Sequence, residues 1–239
     1  MENNMIPSLT TAQMIEVDRA MIEDYHIELI QMMENAGRSF AELARRWLGG
    51  AAQGRSVAVL CGSGNNGGGG MTAARRLHNW GADVVVALTK PADELRGAPA
   101  HQLDILKRMN LPIVESASLP STFELILDTV IGYRLGGSPR GAAADLIRWA
   151  NAQSAPILAL DTPSGLDATT GLAHEPTIRA AATLTLALPK TGLLQPQAKS
   201  YVGELYLADL SVPPELYARM GISVPPLFAA SDIVQVAQV

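Results

Sequence analysis

The chain has 239 residues, 48% of them apolar and 17% charged, with a formal net charge of −5. A chain of that length can fill one large core, and that balance excludes a disordered chain or a coiled coil. It offers no long-range attraction to nucleic acid or to an anionic membrane.

The one cysteine, Cys61, cannot form an internal disulfide and fits a reducing, cytoplasmic setting. At the end of an apolar run it reads as a small buried residue, not as a nucleophile. Met1–Ser8 shows no basic segment followed by a long apolar one, so no signal peptide is expected. No stretch reaches the roughly 18 apolar residues of a membrane-spanning helix.

In chain order, Thr10 or Thr11 caps a predicted helix running to about Asp24. A second helix is predicted from about Glu28 to Leu48, with Leu29, Met32, Met33, Ala36, Phe40 and Leu43 near helical spacing and Gly49-Gly50 ending it. Its methionine-rich face reads as core packing. Alternation then begins. Ser56–Cys61 is a buried strand, Gly69–Trp80 a helix, Asp83–Leu88 a strand, Ala98–Asn110 a helix and Pro112–Val114 a short strand. Phe123–Ile131 holds another strand, Gly141–Gln153 a helix and Pro156–Leu160 a strand, with two more at Ala182–Leu188 and Glu204–Ala208. Such alternation implies right-handed crossovers. The expected fold class is α/β, a Rossmann-like three-layer sandwich with a mostly parallel central sheet and helices on both faces. No repeat or linker divides the chain, and the proline-rich residues after Ser211 are expected to wrap the surface.

Three strand ends carry the chemistry. After the first strand, Gly62, Gly64 and Gly67 match the G-x-G-x-x-G spacing of dinucleotide-binding turns. Glycines let backbone N–H groups approach a phosphate, and the following helix adds a favourable dipole. The alternative is a turn that only needs positive φ, but the glycine density up to Gly70 favours a loop shaped around a ligand. A hydride-transferring dehydrogenase would place a carboxylate near the end of the second strand. Leu88-Thr89-Lys90-Pro91 offers none. Asn65-Asn66 instead supplies amide groups for a polar ligand or cation.

Asp128 interrupts an apolar run near the carboxyl end of its strand, where ligands bind in open parallel sheets. A buried strand aspartate is costly unless compensated. Gly136, Gly137 and Gly141 suit close backbone approach, and Arg134 and Arg140 could meet phosphates. The third turn, Asp161-Thr162-Pro163-Ser164-Gly165, also follows a buried strand. Alone, Asp128 could cap a neighbouring turn and the third turn could be an ordinary Asx turn; three such oxygen-rich turns on one sheet can converge on one crevice. Lys190, after the Thr183–Leu188 strand, reads by default as a solvated lysine.

Taken together, Gly64-Asn65-Asn66-Gly67-Gly68, Asp128 followed by Gly132, Asp161-x-Pro-Ser-Gly165, Pro189-Lys190-Thr191-Gly192 and Met33-Glu34-Asn35-Ala36-Gly37 resemble the NAD(P)H-hydrate epimerase family, also called the YjeF N-terminal domain. The resemblance covers nearly the whole chain. It implies one such domain over residues 1–239, without the ribokinase-like dehydratase module that often accompanies it, and a cytoplasmic homodimer with no nucleic-acid or membrane partner. The implied reaction interconverts the R and S epimers of hydrated NADH or NADPH, so that an S-specific dehydratase can restore the cofactor.

By the same resemblance, Asn65, Asn66, Gly67, Gly68, Gly69, Gly132, Tyr133, Arg134, Leu135, Gly136, Gly137, Ser138 and Asp161 contact the hydrate. Asn66, Asp128 and Ser164 hold a potassium ion, and their hard oxygens suit such a cation. Asp128 and Asp161 are the expected catalytic carboxylates. The family loop usually carries an aspartate where this chain has Gly69. Either Asp128 or Asp161 suffices, or the substrate differs, or the domain binds a nucleotide or metabolite without turning it over.

Overall fold

The computed structural model describes residues 6–115, 119–120 and 122–237. The signal-peptide expectation therefore falls largely outside the described residues. Helix α1 spans Thr11–Glu23. Thr10 caps it in a reciprocal box with Gln13, which satisfies two donors that a helix start leaves open. Helix α2 spans Leu29–Trp47. Gly49 and Gly50, with φ of 83° and 92°, turn the chain out of it.

The strands are β1 (Ser56–Cys61), β2 (Asp83–Leu88), β3 (Ile113–Glu115), β4 (Leu125–Thr129), β5 (Ile157–Leu160), β6 (Ala182–Leu186), β7 (Glu204–Ala208) and β8 (Ile233–Gln235). Between them lie helices α3 (Asn65–Asn79), α4 (Gly97–Arg108), α5 (Gly141–Asn151), α6 (Lys199–Val202) and α7 (Pro214–Arg219). The eight strands form one sheet in the order β3-β2-β1-β4-β5-β6-β7-β8. All pairs are parallel except β7 with β8. The residues after Ser211 thus contribute a helix and an antiparallel edge strand, where only a surface wrap was expected.

Side chains alternate across the sheet. Val57, Val59, Leu125, Leu127, Leu158 and Leu184 pack on one face with Phe40, Leu43, Met71 and Leu77 of α2 and α3. On the other face Ala58, Leu60, Ile126, Ile157 and Ala159 pack on Leu146, Ile147 and Ala150 of α5. Helix α1 joins a separate apolar cluster, where Met14, Val17 and Met21 meet Ala187, Leu188, Leu210 and Tyr217.

The chain order reverses between β1 and β4, so connections leave in opposite directions there and a crevice opens at the carboxyl ends. That reversal fixes where the three motif turns meet.

Candidate functional site

The largest difference from the sequence expectation lies in the glycine-rich segment. The helix predicted from Gly69 begins four residues earlier, at Asn65, and none of Gly62, Gly64 or Gly67 to Gly70 has positive φ. These glycines serve close packing. A Cβ on Gly62 would lie 2.0 Å from Val130 O, one on Gly67 1.9 Å from Gly62 O, and one on Gly70 2.1 Å from Thr129 Oγ1. The first turn of α3 is thereby pressed onto the ends of β1 and β4. Gly64 gives no side-chain cap, so the first backbone N–H groups of α3 have no partner within the helix and suit an anion.

A cavity of about 390 Å3 opens at this point. Its polar lining comes from Asp18, Asn65, Asn66, Tyr133, Arg134 and Asp161, with Gly64, Gly69 and Gly132 among its backbone walls. Leu29, Met32, Met33, Leu160 and Leu210 supply an apolar side. Met32 and Met33 of α2 are buried as core residues should be, yet they also face the cavity, so the reading of that helix face as core alone is corrected. Gly132 packs closely on the site: a Cβ there would lie 3.2 Å from both Asn66 Cγ and Asp161 Oδ2, so those side chains would have to give by a few tenths of an ångström.

Behind the cavity, Asp128 is fully buried. Its Oδ1 accepts from Ser164 Oγ at 2.6 Å and Val130 N–H at 3.2 Å, and its Oδ2 accepts from Ser164 N–H at 2.8 Å. No cation pairs with it among the described residues. Burial outweighs the hydrogen bonds and pushes its pKa up to about 6. Ser164 Oγ in turn accepts from Ile131 N–H at 2.8 Å. This links Asp128 to the Ile131-Gly132 turn on which Asn66 packs. Asn66 Nδ2 is buried with no hydrogen-bond partner.

Asp161 is arranged differently. It is buried, with φ +68°, a conformation that strains a residue with a side chain. Its Oδ2 accepts from Tyr133 N–H at 3.0 Å, and Lys190 Nζ donates to its Oδ1. Lys190 is 0% exposed and donates as well to Leu186 O at 2.9 Å and Thr185 Oγ1 at 3.3 Å. The default reading of a solvated lysine is thus corrected. A side chain that long is buried only when its charge and donors are met, and a partner 29 residues away in sequence supplies that.

Of the expected contact residues, Asn65, Asn66, Gly69, Gly132, Tyr133, Arg134 and Asp161 line the cavity. Gly67 and Gly68 lie beneath it as buried packing glycines, and Leu135, Gly136, Gly137 and Ser138 run beyond its lining. Asp128 and Ser164 are fully buried and lie outside its lining, so of the expected ion ligands only Asn66 lines the cavity. Asp18 was not singled out in the sequence: on an isolated helix it is one of several surface-like acids, and only the docking of α1 turns it inward. Cys61 is buried as expected, and desolvation pushes its thiol up to about 12, which removes any nucleophilic role.

Residues 29–192 match the family described as YjeF-related protein N-terminus. An NAD(P)H-hydrate epimerase of Dehalogenimonas lykanthroporepellens is 44% identical over 92% of this chain and 89% of that protein. One of Rhodopirellula baltica is 36% identical over 91% of this chain and 89% of its own length. A bifunctional NAD(P)H-hydrate repair enzyme of Moorella thermoacetica is 35% identical over 88% of this chain, which spans 41% of that protein. Among solved structures, the yeast protein ynu0 superposes with a TM-score of 0.79 over 96% of this chain and all of that one; at 23% identity this shows the fold.

Proposed function

The chain belongs to the family of YjeF-related protein N-termini, and we infer that it is an NAD(P)H-hydrate epimerase, an isomerase that interconverts the R and S epimers of hydrated NADH and NADPH. The observation that carries this reading is the meeting of three turns, Gly64–Asn66, Gly132–Arg134 and Asp161, around one cavity. The reaction needs no hydride acceptor. The inverted ring carbon bears a hydroxyl next to the ring nitrogen. Loss of the hydroxyl leaves an iminium cation, and water returns on either face. A site for this chemistry needs a pocket for the hydrated ring, negative charge near the developing cation and a group that moves a proton. The Met32, Met33 and Leu160 wall suits the ring, Asp161 contributes negative charge, and the first turn of α3 suits a phosphate of the dinucleotide.

The proposal extends to potassium. Asp128 is a buried carboxylate with no cationic partner among the described residues, and the half-buried Asn66 has a buried Nδ2 with no hydrogen-bond partner. Turning that amide over would present its oxygen. Asn66, Asp128 and Ser164 would then hold a hard monovalent cation, while their single charge and lack of nitrogen or sulfur ligands do not suit zinc. The bound ion would supply positive charge that offsets Asp128 and fixes the Gly132 turn. In this proposal Asp128 stabilises the site from behind and Asp161 touches substrate. A cytoplasmic homodimer completes the reading. Light scattering tests the dimer.

The test of function mixes both epimers with an S-specific dehydratase and follows the slow fraction. Adding this protein is expected to speed consumption of the R form. If R consumption stays at its rate without the protein while the ligand still raises the melting temperature, the chain is a binding domain and not an epimerase.

A further inference from the structure

We propose that Asp18, on α1, is the catalytic residue that exchanges a proton with the substrate hydroxyl, held in place by Tyr133. This rests on the epimerase reading above. Three carboxylates stand at the site, and two are already engaged. Both oxygens of Asp128 accept from Ser164 or Val130, and the side chain does not face the cavity. Each oxygen of Asp161 already accepts a hydrogen bond, one from Lys190 and one from Tyr133 N–H. Asp18 lines the cavity with its side chain 18% exposed. Its Oδ2 accepts from Tyr133 Oη at 2.5 Å and stands 3.7 Å from Arg134 Nη2. Its Oδ1 accepts from no donor among the described residues, and no histidine lines the cavity. Asp18 is therefore the carboxylate with an oxygen free for substrate.

Tyr133 ties this group to the rest of the site, since its hydroxyl donates to Asp18 while its backbone N–H donates to Asp161. The charged groups facing Asp18 are Lys190 and Arg134, which favour its carboxylate, and Asp161, which opposes it. Burial is the largest influence and pushes its pKa up, against the Tyr133 hydrogen bond. A carboxyl so placed keeps its proton nearer to neutral pH, as a general acid requires.

The step balances as follows. Protonated Asp18 gives its proton to the hydroxyl oxygen as the carbon–oxygen bond breaks and that electron pair leaves with oxygen, forming water. The ring-nitrogen lone pair forms the carbon–nitrogen double bond of the iminium. Water then adds to the opposite face and releases a proton to solvent, from which the Asp18 carboxylate is reprotonated. No electron acceptor is involved.

The test uses the full chain in the coupled dehydratase assay. D18N is expected to lower kcat for R consumption by about 100-fold or more, with KM within about threefold, a thermal melt close to that of the parent, and partial recovery in D18E. The parent kcat is expected to fall at high pH as Asp18 loses its proton, and D18N to lack that limb. Y133F, which removes a donor to the carboxylate, is expected to move the limb to higher pH. A D18N protein with parental kcat and pH profile overturns the proposal, as does a loss confined to KM. If D18N does not fold, Y133F decides: a limb that stays in place overturns the assignment. A parent chain that never speeds R consumption sinks the epimerase reading, and the role of Asp18 with it.

Discussion

Two buried aspartates at neighbouring strand ends solve the same problem in opposite ways. Asp161 is compensated by a buried lysine, and Asp128 only by hydrogen bonds from Ser164 and Val130. A carboxylate with an ion partner has its charge settled within the protein. One without a partner either holds its proton or waits for a cation. The first arrangement stiffens a wall of the cavity; the second prepares a place for an ion.

The sharpest way to break the comparison is to remove the cation from the paired aspartate. K190M leaves Asp161 charged and buried, and should destabilise the fold by about 3–5 kcal/mol, near 10 °C in melting temperature for a chain of this size. Urea denaturation measures it. K190M combined with D161N should recover part of the loss, because the unpaired charge is gone.

The unpaired aspartate predicts a pH effect. The folded pKa of about 6 lies above the ordinary value of 3.8, so the folded state binds more protons between the two. Stability is therefore present at low pH and lost as pH rises through that window, by up to about 3 kcal/mol. Comparing parent with D128N in choline chloride isolates this slope, which should vanish in the variant. Potassium should reduce it in the parent, and equal slopes in both salts would sink the ion site.

Packing beneath the two aspartates gives a smaller effect. The Cβ added in G70A would meet Thr129 Oγ1, which already donates to Leu60 O at 2.7 Å. Overpacking there should cost about 1–3 kcal/mol, with partial relief when Thr129 is also made alanine. The smallest effect is expected at G69D. Its Cβ would sit 2.9 Å from Leu160 Cδ2, the end of a flexible side chain. With Asp18 supplying the acid, kcat should change by less than about threefold, under about 0.7 kcal/mol. A larger gain would show that the cavity lacks a carboxylate it needs.

Much of this was legible in the sequence. The buried strand runs, from Ser56–Cys61 to Glu204–Ala208, appear where the apolar pattern put them. The short antiparallel β8 did not, because three residues carry too little pattern to read. The convergence of Asn66, Gly132 and Asp161 was legible through motif turns at strand ends. Lys190 was misread because a lysine's default is solvent, and its partner lies in another turn. Asp18 was invisible because an amphipathic helix does not state which element it will dock against. The glycines were located correctly, but the helix that begins at Asn65 and its packing on β1 and β4 were not read: close approach between backbones leaves no trace in composition beyond the glycine itself.

The sequence alone determined the alternation of strand and helix, hence a parallel sheet with its polar turns at one edge, since hydrophobic period and turn chemistry act over a few residues. The tertiary structure decided which carboxylates are paired, which are buried without a partner and which face the cavity. Charge compensation and desolvation depend on atoms brought together from tens to more than a hundred residues apart, and no local pattern records those distances.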